Sequence, residues 1–566
     1  MSTTWNNDGT FHLGINMAGA VSAGAYTAGV LDFLTEALEQ WYAAKTAPNP
    51  AVPLHDICID VFSGASAGGM CAAISAVMLQ GPFEHIQNPA DPSVEGTTNR
   101  FYESWVNKID IGPLLGVTDL QDGGPVVSLL DSNIIDEIAD YALAPVASPA
   151  PRPYLSDALT LFLTLTNVRG VPYSLNGEAT GSAEEDIAYY ADRLQFETVR
   201  GANRPLSRSA KPLPLPNVGT GAGAWPLLKE AAKATGAFPL FLAPRKLERS
   251  AADFYDSPWQ PISSDVTVPA APHWTLKPSD TFTTLTVDGG VTDNDPFQLA
   301  HDFLAIHNPQ ARRDPQTGEL RNPPDADTAN CAVLTVAPFP AEDLYNPNYN
   351  FDKNSSVSGI LPNLITVLLS QSRFQGETLA AVMSGTSYSR FVLAPSDTDN
   401  PNLNALQCGL LGAFGGFFER GFRAHDYQLG RRNCQKFLKD DFRLAATNPI
   451  IASGLDKIDA AGRAAVIKAF DPGNSGYIPI IPVCGTAVAE VAAPARATIT
   501  SSRVDEILDS IVERLRAVTK PLLESAIGSG VKDFAARVAI DGIISTWGKA
   551  KLEDLLQKEL KEVIKE

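Results

Sequence analysis

Apolar and polar positions along the chain switch between two periods, and the switch recurs. Phe11–Met17 is a short, nearly continuous apolar run, followed by small residues over Ala18–Gly24. Ala25–Tyr42 then places Val30, Phe33, Leu34 and Leu38 at helical spacing. The plan repeats: Ile57–Phe62 is β-rich, Ser63–Gly69 is a small-residue turn, and Met70–Leu79 is a helix of Ala, Ile, Val and Met. Leu159–Thr166, Phe282–Val287 and Cys331–Val336 are further strands. Continuous apolar strands alternating with helices predict an α/β fold, with a central, mostly parallel sheet flanked by helices.

Between these units the pattern weakens. Gln87–Thr98, Pro145–Pro153, Arg204–Ala224 and Arg312–Thr328 are rich in Pro, Gly or small polar residues and predict loops. Beyond about Pro347 the chain turns mainly helical, over Leu361–Gly385 and Ala413–Leu438, with a strand at Arg390–Ala394 between them. From Ser501 the helical period returns. The last helix lines up Leu552, Leu555, Leu556, Leu560 and Val563, a stripe expected to pack on its own protein.

Composition narrows the field. The chain has 566 residues, 44% hydrophobic and 19% charged, enough to bury a sizeable core. A net charge of −20 speaks against a nucleic-acid partner, because phosphate contacts need a basic surface. It also speaks against a mainly electrostatic hold on anionic membranes, leaving peripheral contact through an apolar face. Six cysteines without a CxxC pair predict free thiols in a reducing compartment. The N-terminus has neither a basic nor an apolar leader region, and no apolar run is long enough to span a bilayer, so a cytoplasmic protein is expected.

Candidate chemistry lies in three turns. Gly64-Ala65-Ser66-Ala67-Gly68 follows a predicted strand and opens a predicted helix, the setting of a nucleophile elbow. Small neighbours let the chain turn sharply and expose the Ser66 hydroxyl, while the helix that starts there aims its amides at developing negative charge. Read blandly, the same residues are a packing turn. Asp288-Gly289-Gly290 ends the strand Phe282–Val287, expected to be parallel to its neighbours, where ligands gather in such sheets. Its bland reading is an ordinary Asp-Gly turn. The third turn, Gly19-Ala20-Val21-Ser22-Ala23-Gly24, offers backbone amides for an oxyanion hole. No Asp, Glu or His spacing suits a metal, and Gly219-Thr-Gly221-Ala-Gly223 lacks the strand a dinucleotide site requires, so no metal and no cofactor are expected.

Taken in order, these pieces resemble the patatin-like phospholipase family over roughly Phe11–Ala300. Gly64-x-Ser66-x-Gly68-Gly69 is similar to the family's elbow, and Asp288-Gly-Gly with Asn294 and Pro296 to its aspartate block. Ala231-Ala-Lys-Ala-Thr-Gly-Ala-Phe-Pro239 is similar to the small-residue helix and Pro turn upstream of that aspartate. The resemblance implies a patatin-like catalytic domain over 1–345. A helical extension over 346–450 would complete its core, and a mainly helical region would follow over 451–566. It implies a serine hydrolase of lipid acyl esters, of phospholipase A or lysophospholipase type, with a lipid or phospholipid substrate. Ser66 would be the nucleophile and Asp288 the base. The amides of Gly19, Ala20, Val21 and Ala67 would bind the oxyanion, with Gly64, Gly68, Gly289 and Gly290 supporting the turns.

The chain departs from the family at the first turn, where Gly-Gly-Gly-x-Arg/Lys-Gly is usual. Two glycines and the basic residue are absent, and Val21 is a poor residue for positive φ. Two other readings stay open on the sequence. One is a binding scaffold on the same fold with a weakened site. The other is a Ser-Asp-His esterase drawing on His301, His307 or His425. The cluster from Arg423 to Arg432 reads as internal ion pairs and caps.

Overall fold

The computed structural model describes residues 5–565, except 6–8, 92, 95, 122, 147–148, 151, 176–184, 200–211, 217–221, 257–271, 316–317, 319, 340–350, 352–354, 356–386, 402, 528–548 and 562. The helix expected over 361–385 lies outside the described residues. Strands β1 (Thr10–Met17), β2 (Asp56–Gly64) and β3 (Leu155–Leu175) form the centre of a sheet of nine strands among the described residues. Cys331–Val336 runs parallel to β1 on its other side, and Arg390–Leu393 runs parallel to that strand at the edge. β1, β2 and β3 are parallel, as their continuous apolar character requires of strands covered on both faces.

The far half departs from the parallel plan. β4 (Glu185–Val199) is antiparallel to β3, and β5 (Leu213–Pro216) is parallel to β4. β5 falls in the stretch expected to be loop. Pro214 and Pro216 can donate no ladder bond, which a strand at the sheet's margin tolerates. β6 (Arg245–Ser250) pairs antiparallel with β7 (Thr281–Asp288), and β7 runs antiparallel to the outer half of β3. Asp288 therefore ends an antiparallel strand, contrary to expectation. β3 is 21 residues long and overshoots β2, and the overshoot brings the end of β7 beside the end of β2. Gly64 pairs with Leu163 and Asp288 with Leu165, so one strand sets the spacing of both.

Helices cover both faces. α1 (Gly24–Lys45), α2 (Ser66–Met78) and the helix Trp225–Thr235 share the main core with Phe11, Leu13, Ile59 and Leu163. On the other face, Ala300, Phe303 and Leu304 of the helix Phe297–His307 pack on Val61, Phe162 and Val333. α1 also packs against Arg420–Asp440, and the contact buries charge: Arg431 pairs with Asp32 and, at 2.7 Å, with Glu36. Burial alone would lower the His85 pKa, but its bonds to Asp32 and Glu39 raise it to about 9. A buried cluster of this kind holds together only while each charge keeps its partner. The charged stretch from Arg423 to Arg432 is thus internal, as read from the sequence. The predicted helix Ala413–Leu438 is broken at Glu419, whose carboxylate accepts from the Gly421 amide to cap the helix that follows.

The C-terminal stripe packs inward. Leu556, Leu560 and Val563 join Val504, Ile507 and Leu508 of the helix Ser501–Ile527. From that helix the buried Arg514 bonds the carbonyls of Gly116, Ser128 and Leu129 and the carboxylate of Asp119, fixing the loop between Leu114 and Leu130. Among the described residues no helix is long and apolar enough to cross a membrane.

Candidate active site

The site forms where β2, β7 and the turn after β1 end together. One residue, Ala65, separates β2 from Ser66, the first residue of α2, whose φ is +52°. A non-glycine residue there carries a cost of about 1–2 kcal/mol, typical of nucleophile elbows. The elbow's glycines are steric requirements. A Cβ on Gly68 would lie 2.1 Å from the Met17 carbonyl oxygen, and one on Gly64 would lie 2.6 Å from that of Gly68. Thr235, buried in the helix Trp225–Thr235, accepts from the Ser66 amide at 3.0 Å and holds the elbow from outside.

Ser66 Oγ donates to Asp288 Oδ2 at 2.7 Å. The other carboxylate oxygen of Asp288 accepts from the Gly290 amide, also at 2.7 Å. A Cβ on Gly289 would lie 2.1 Å from the Thr164 carbonyl oxygen, so this turn too needs glycine to close on β3. Asp288 is buried. Desolvation raises its pKa to about 7, against the lowering effect of the two hydrogen bonds. A carboxyl poised there is suited to exchanging a proton near neutral pH. Asp293, nearby in sequence, is also pushed to about 7, by burial and the charge of Asp295.

The turn after β1 lies against this pair. Gly19 does not offer its amide: that N–H donates to the Asn294 carbonyl at 3.0 Å, tying the turn to the Asp288 segment. Gly19 is needed there for space, since a Cβ would sit 2.0 Å from Asn294 Oδ1. The Ser66 amide is taken by Thr235. Among the described residues, the amides of Ala20, Val21 and Ala67 have no such acceptor. Val21 adopts φ of +46°, the left-handed conformation that a β-branched side chain disfavours.

None of the three histidines weighed as a third partner joins Ser66 and Asp288. His301 Nδ1 faces Asp302 at 3.2 Å, His307 bonds the Phe303 carbonyl, and His425 bonds Asp426 at 2.8 Å.

A cavity opens beside Ser66 and Val21 and is lined almost wholly by apolar side chains. Met70, Ile74, Trp105 and Ile138 form part of its wall, with Phe238 and Phe414 over it. The ammonium of Lys233, also at the cavity, is drawn aside to Asp136 and Glu230. Sequence reasoning missed Trp105, Thr235 and Phe414. Thr235 lay within the Ala231–Pro239 block but had no local signal of its role. Phe414 read only as the start of a helix.

One group of potential metal ligands lies elsewhere. His12, Cys58 and Asp60 have donor atoms within 4.8 Å of one another, well before the elbow on β1 and β2. His12 and Asp60 are already bonded at 2.7 Å, with Trp5 stacked on the imidazole at 3.6 Å. This arrangement satisfies both groups as a closed pair.

A serine at a strained strand-to-helix turn, bonded to a buried carboxyl beside an apolar cavity, is the equipment of an acyl hydrolase. The patatin-like phospholipase model matches residues 16–301, just over half of the chain, and the protein belongs to that family of lipid acyl hydrolases. The chain is 33% identical to the uncharacterized protein y4iI of Sinorhizobium fredii, over 91% of this chain and 76% of that one. A search of solved structures returned VipD from Legionella pneumophila at 11% identity and a TM-score of 0.19, covering 98% of this chain and 92% of that one.

Proposed function

We propose that the protein hydrolyses lipid acyl esters through a Ser66–Asp288 dyad and an acyl-enzyme. The observation that carries this reading is the 2.7 Å bond from Ser66 Oγ to the buried Asp288 at the mouth of an apolar cavity. An acyl chain would lie in that cavity with its ester carbonyl over Ser66. Asp288 takes the hydroxyl proton as Ser66 Oγ attacks, and the amides of Ala20, Val21 and Ala67 receive the developing oxyanion at the start of α2. The tetrahedral intermediate then expels its alcohol, which takes the proton from Asp288. Water attacks the acyl-enzyme with Asp288 again as base, and the second tetrahedral intermediate expels Ser66 Oγ, which takes the proton back from Asp288 as the fatty acid leaves. The lining of the cavity supports a single acyl chain as the group recognised, as in phospholipase A or lysophospholipase activity.

A fluorophosphonate probe and a p-nitrophenyl ester series test this directly. Wild type is expected to label at Ser66 and to prefer long chains. Ser66→Ala is expected to lose labelling and to lose at least about a thousandfold in turnover. Hydrolysis surviving in Ser66→Ala would refute the dyad. Folded wild type that neither labels nor turns over any ester would favour a binding role.

A further inference from the structure

The family match ends at residue 301, yet the turn after β1 is held from more than a hundred residues farther along. Ser22 is fully buried. Its amide donates to the Ala413 carbonyl at 3.2 Å and its hydroxyl reaches the same oxygen at 2.6 Å, with the Cys408 carbonyl at 3.3 Å. The same hydroxyl oxygen accepts from the Gly416 amide at 3.1 Å. A Cβ on Gly416 would lie 2.6 Å from Ser22 Oγ and 2.5 Å from Cys408 Sγ, so the Ser22 side chain packs directly on the Gly416 backbone.

The partner segment is as unusual as the turn. Leu411, Gly412 and Ala413 have φ of +54°, +63° and +77°, three left-handed residues in a row, two of them with a Cβ. On the other side of the contact Val21 sits at +46°. Such conformations persist only where the surroundings over-determine them. Next to Val21, the Ser22 bonds anchor the peptide plane that follows it, while the Gly19 amide is held by Asn294 on the other side. Phe414, within the contact, and Phe417, just past it, line the cavity.

Resting on the hydrolase reading above, we propose that Ser22 is a positioning residue. It latches the turn after β1 to residues 408–416 and so holds Val21 in the left-handed conformation that presents its amide to the oxyanion. Glycine takes that conformation unaided, which makes the latch dispensable in a Val21→Gly background. Ser22 touches no substrate; it acts through Val21.

A double-mutant cycle on the full chain tests this, with kcat, KM and Tm measured for wild type, Ser22→Ala, Val21→Gly and the double variant on one p-nitrophenyl ester. Ser22→Ala is expected to lower kcat about tenfold with KM nearly unchanged when Val21 is present, and no more than about twofold beside Val21→Gly. The loss in Tm should be the same in both backgrounds. Ser22→Cys, which keeps the volume and weakens the bonds, supplies the same comparison if the alanine variant folds poorly. Equal kcat losses in the two backgrounds, with wild type active, would overturn the latch alone. An inactive wild type would sink the hydrolase reading and the latch with it.

Discussion

Two strand-to-helix turns stand side by side in this molecule, and they are built on different principles. The elbow after β2 carries most of its own instructions. Gly64, Ala65, Ala67 and Gly68 clear space around Ser66, and the strain at Ser66 is met by the start of α2 within the same few residues. The turn after β1 does not. Its Gly19 is bound to Asn294 and its Ser22 to Ala413, and the strained Val21 lies between the two. A turn rich in glycine can keep a demanding shape by itself, whereas one with larger residues borrows the shape from distant chain.

The largest effect expected from breaking this contrast is at Gly68. A side chain there meets the Met17 carbonyl, which is backbone and cannot swing aside. Gly68→Val should abolish probe labelling and destabilise the fold by about 1–3 kcal/mol, read by thermal melting. Labelling at the wild-type rate would show that the elbow tolerates what its geometry forbids.

Asp288→Asn comes next, with turnover expected to fall about a hundredfold or more. Its effect on stability should have the opposite sign. The folded pKa, raised to about 7, exceeds the ordinary value of 3.8, so this group's contribution is intact below about pH 4 and is lost as pH rises through 7. The asparagine variant should therefore melt higher than wild type at pH 8, with the gap closing at pH 5. The same titration should give wild-type activity an acid limb near pH 7, still present in Asp293→Asn. A gap independent of pH would mean that Asp288 titrates elsewhere.

The smallest effect sharpens the comparison. Besides the Ala65 amide on the Met17 carbonyl and the Ser66 hydroxyl on Asp288, the elbow is held from outside by the Thr235 hydroxyl on the Ser66 amide. Thr235→Val should reduce kcat about tenfold, the worth of one buried hydrogen bond, and Thr235→Ser should recover most of it. If Thr235→Val is silent, the elbow holds Ser66 in place without that bond.

Much of this architecture was legible in the sequence, for reasons that also explain the gaps. Phe11–Met17, Ile57–Phe62 and Cys331–Val336 lie in the middle of the sheet, and burial on both faces gives them nearly continuous apolar runs. β6, read as Arg-Lys-Leu-Glu-Arg-Ser, buries only alternate residues, and its charges hide it. β4 escaped notice for a related reason: Asp186, Asp192 and Arg193 interrupt any apolar run. The elbow and Asp288 were found because each is a local pattern at the end of an apolar strand. The Gly19 amide was expected to face substrate, and no local pattern could reveal that Asn294 would claim it. Val21 was judged unsuited to positive φ on its intrinsic preference, and tertiary bonds override that preference.

The order of strands also has a consequence for the chain as it is made. β1 is flanked by β2, completed at Gly64 fewer than fifty residues after β1 ends, and by Cys331–Val336, which is synthesised far later. At ordinary ribosomal speed the interval of about 300 residues lasts roughly 15–60 s. Throughout it, one full side of an apolar central strand has no ladder to join. The nascent chain thus carries an open sheet edge throughout that interval, the period when shielding by a chaperone matters most.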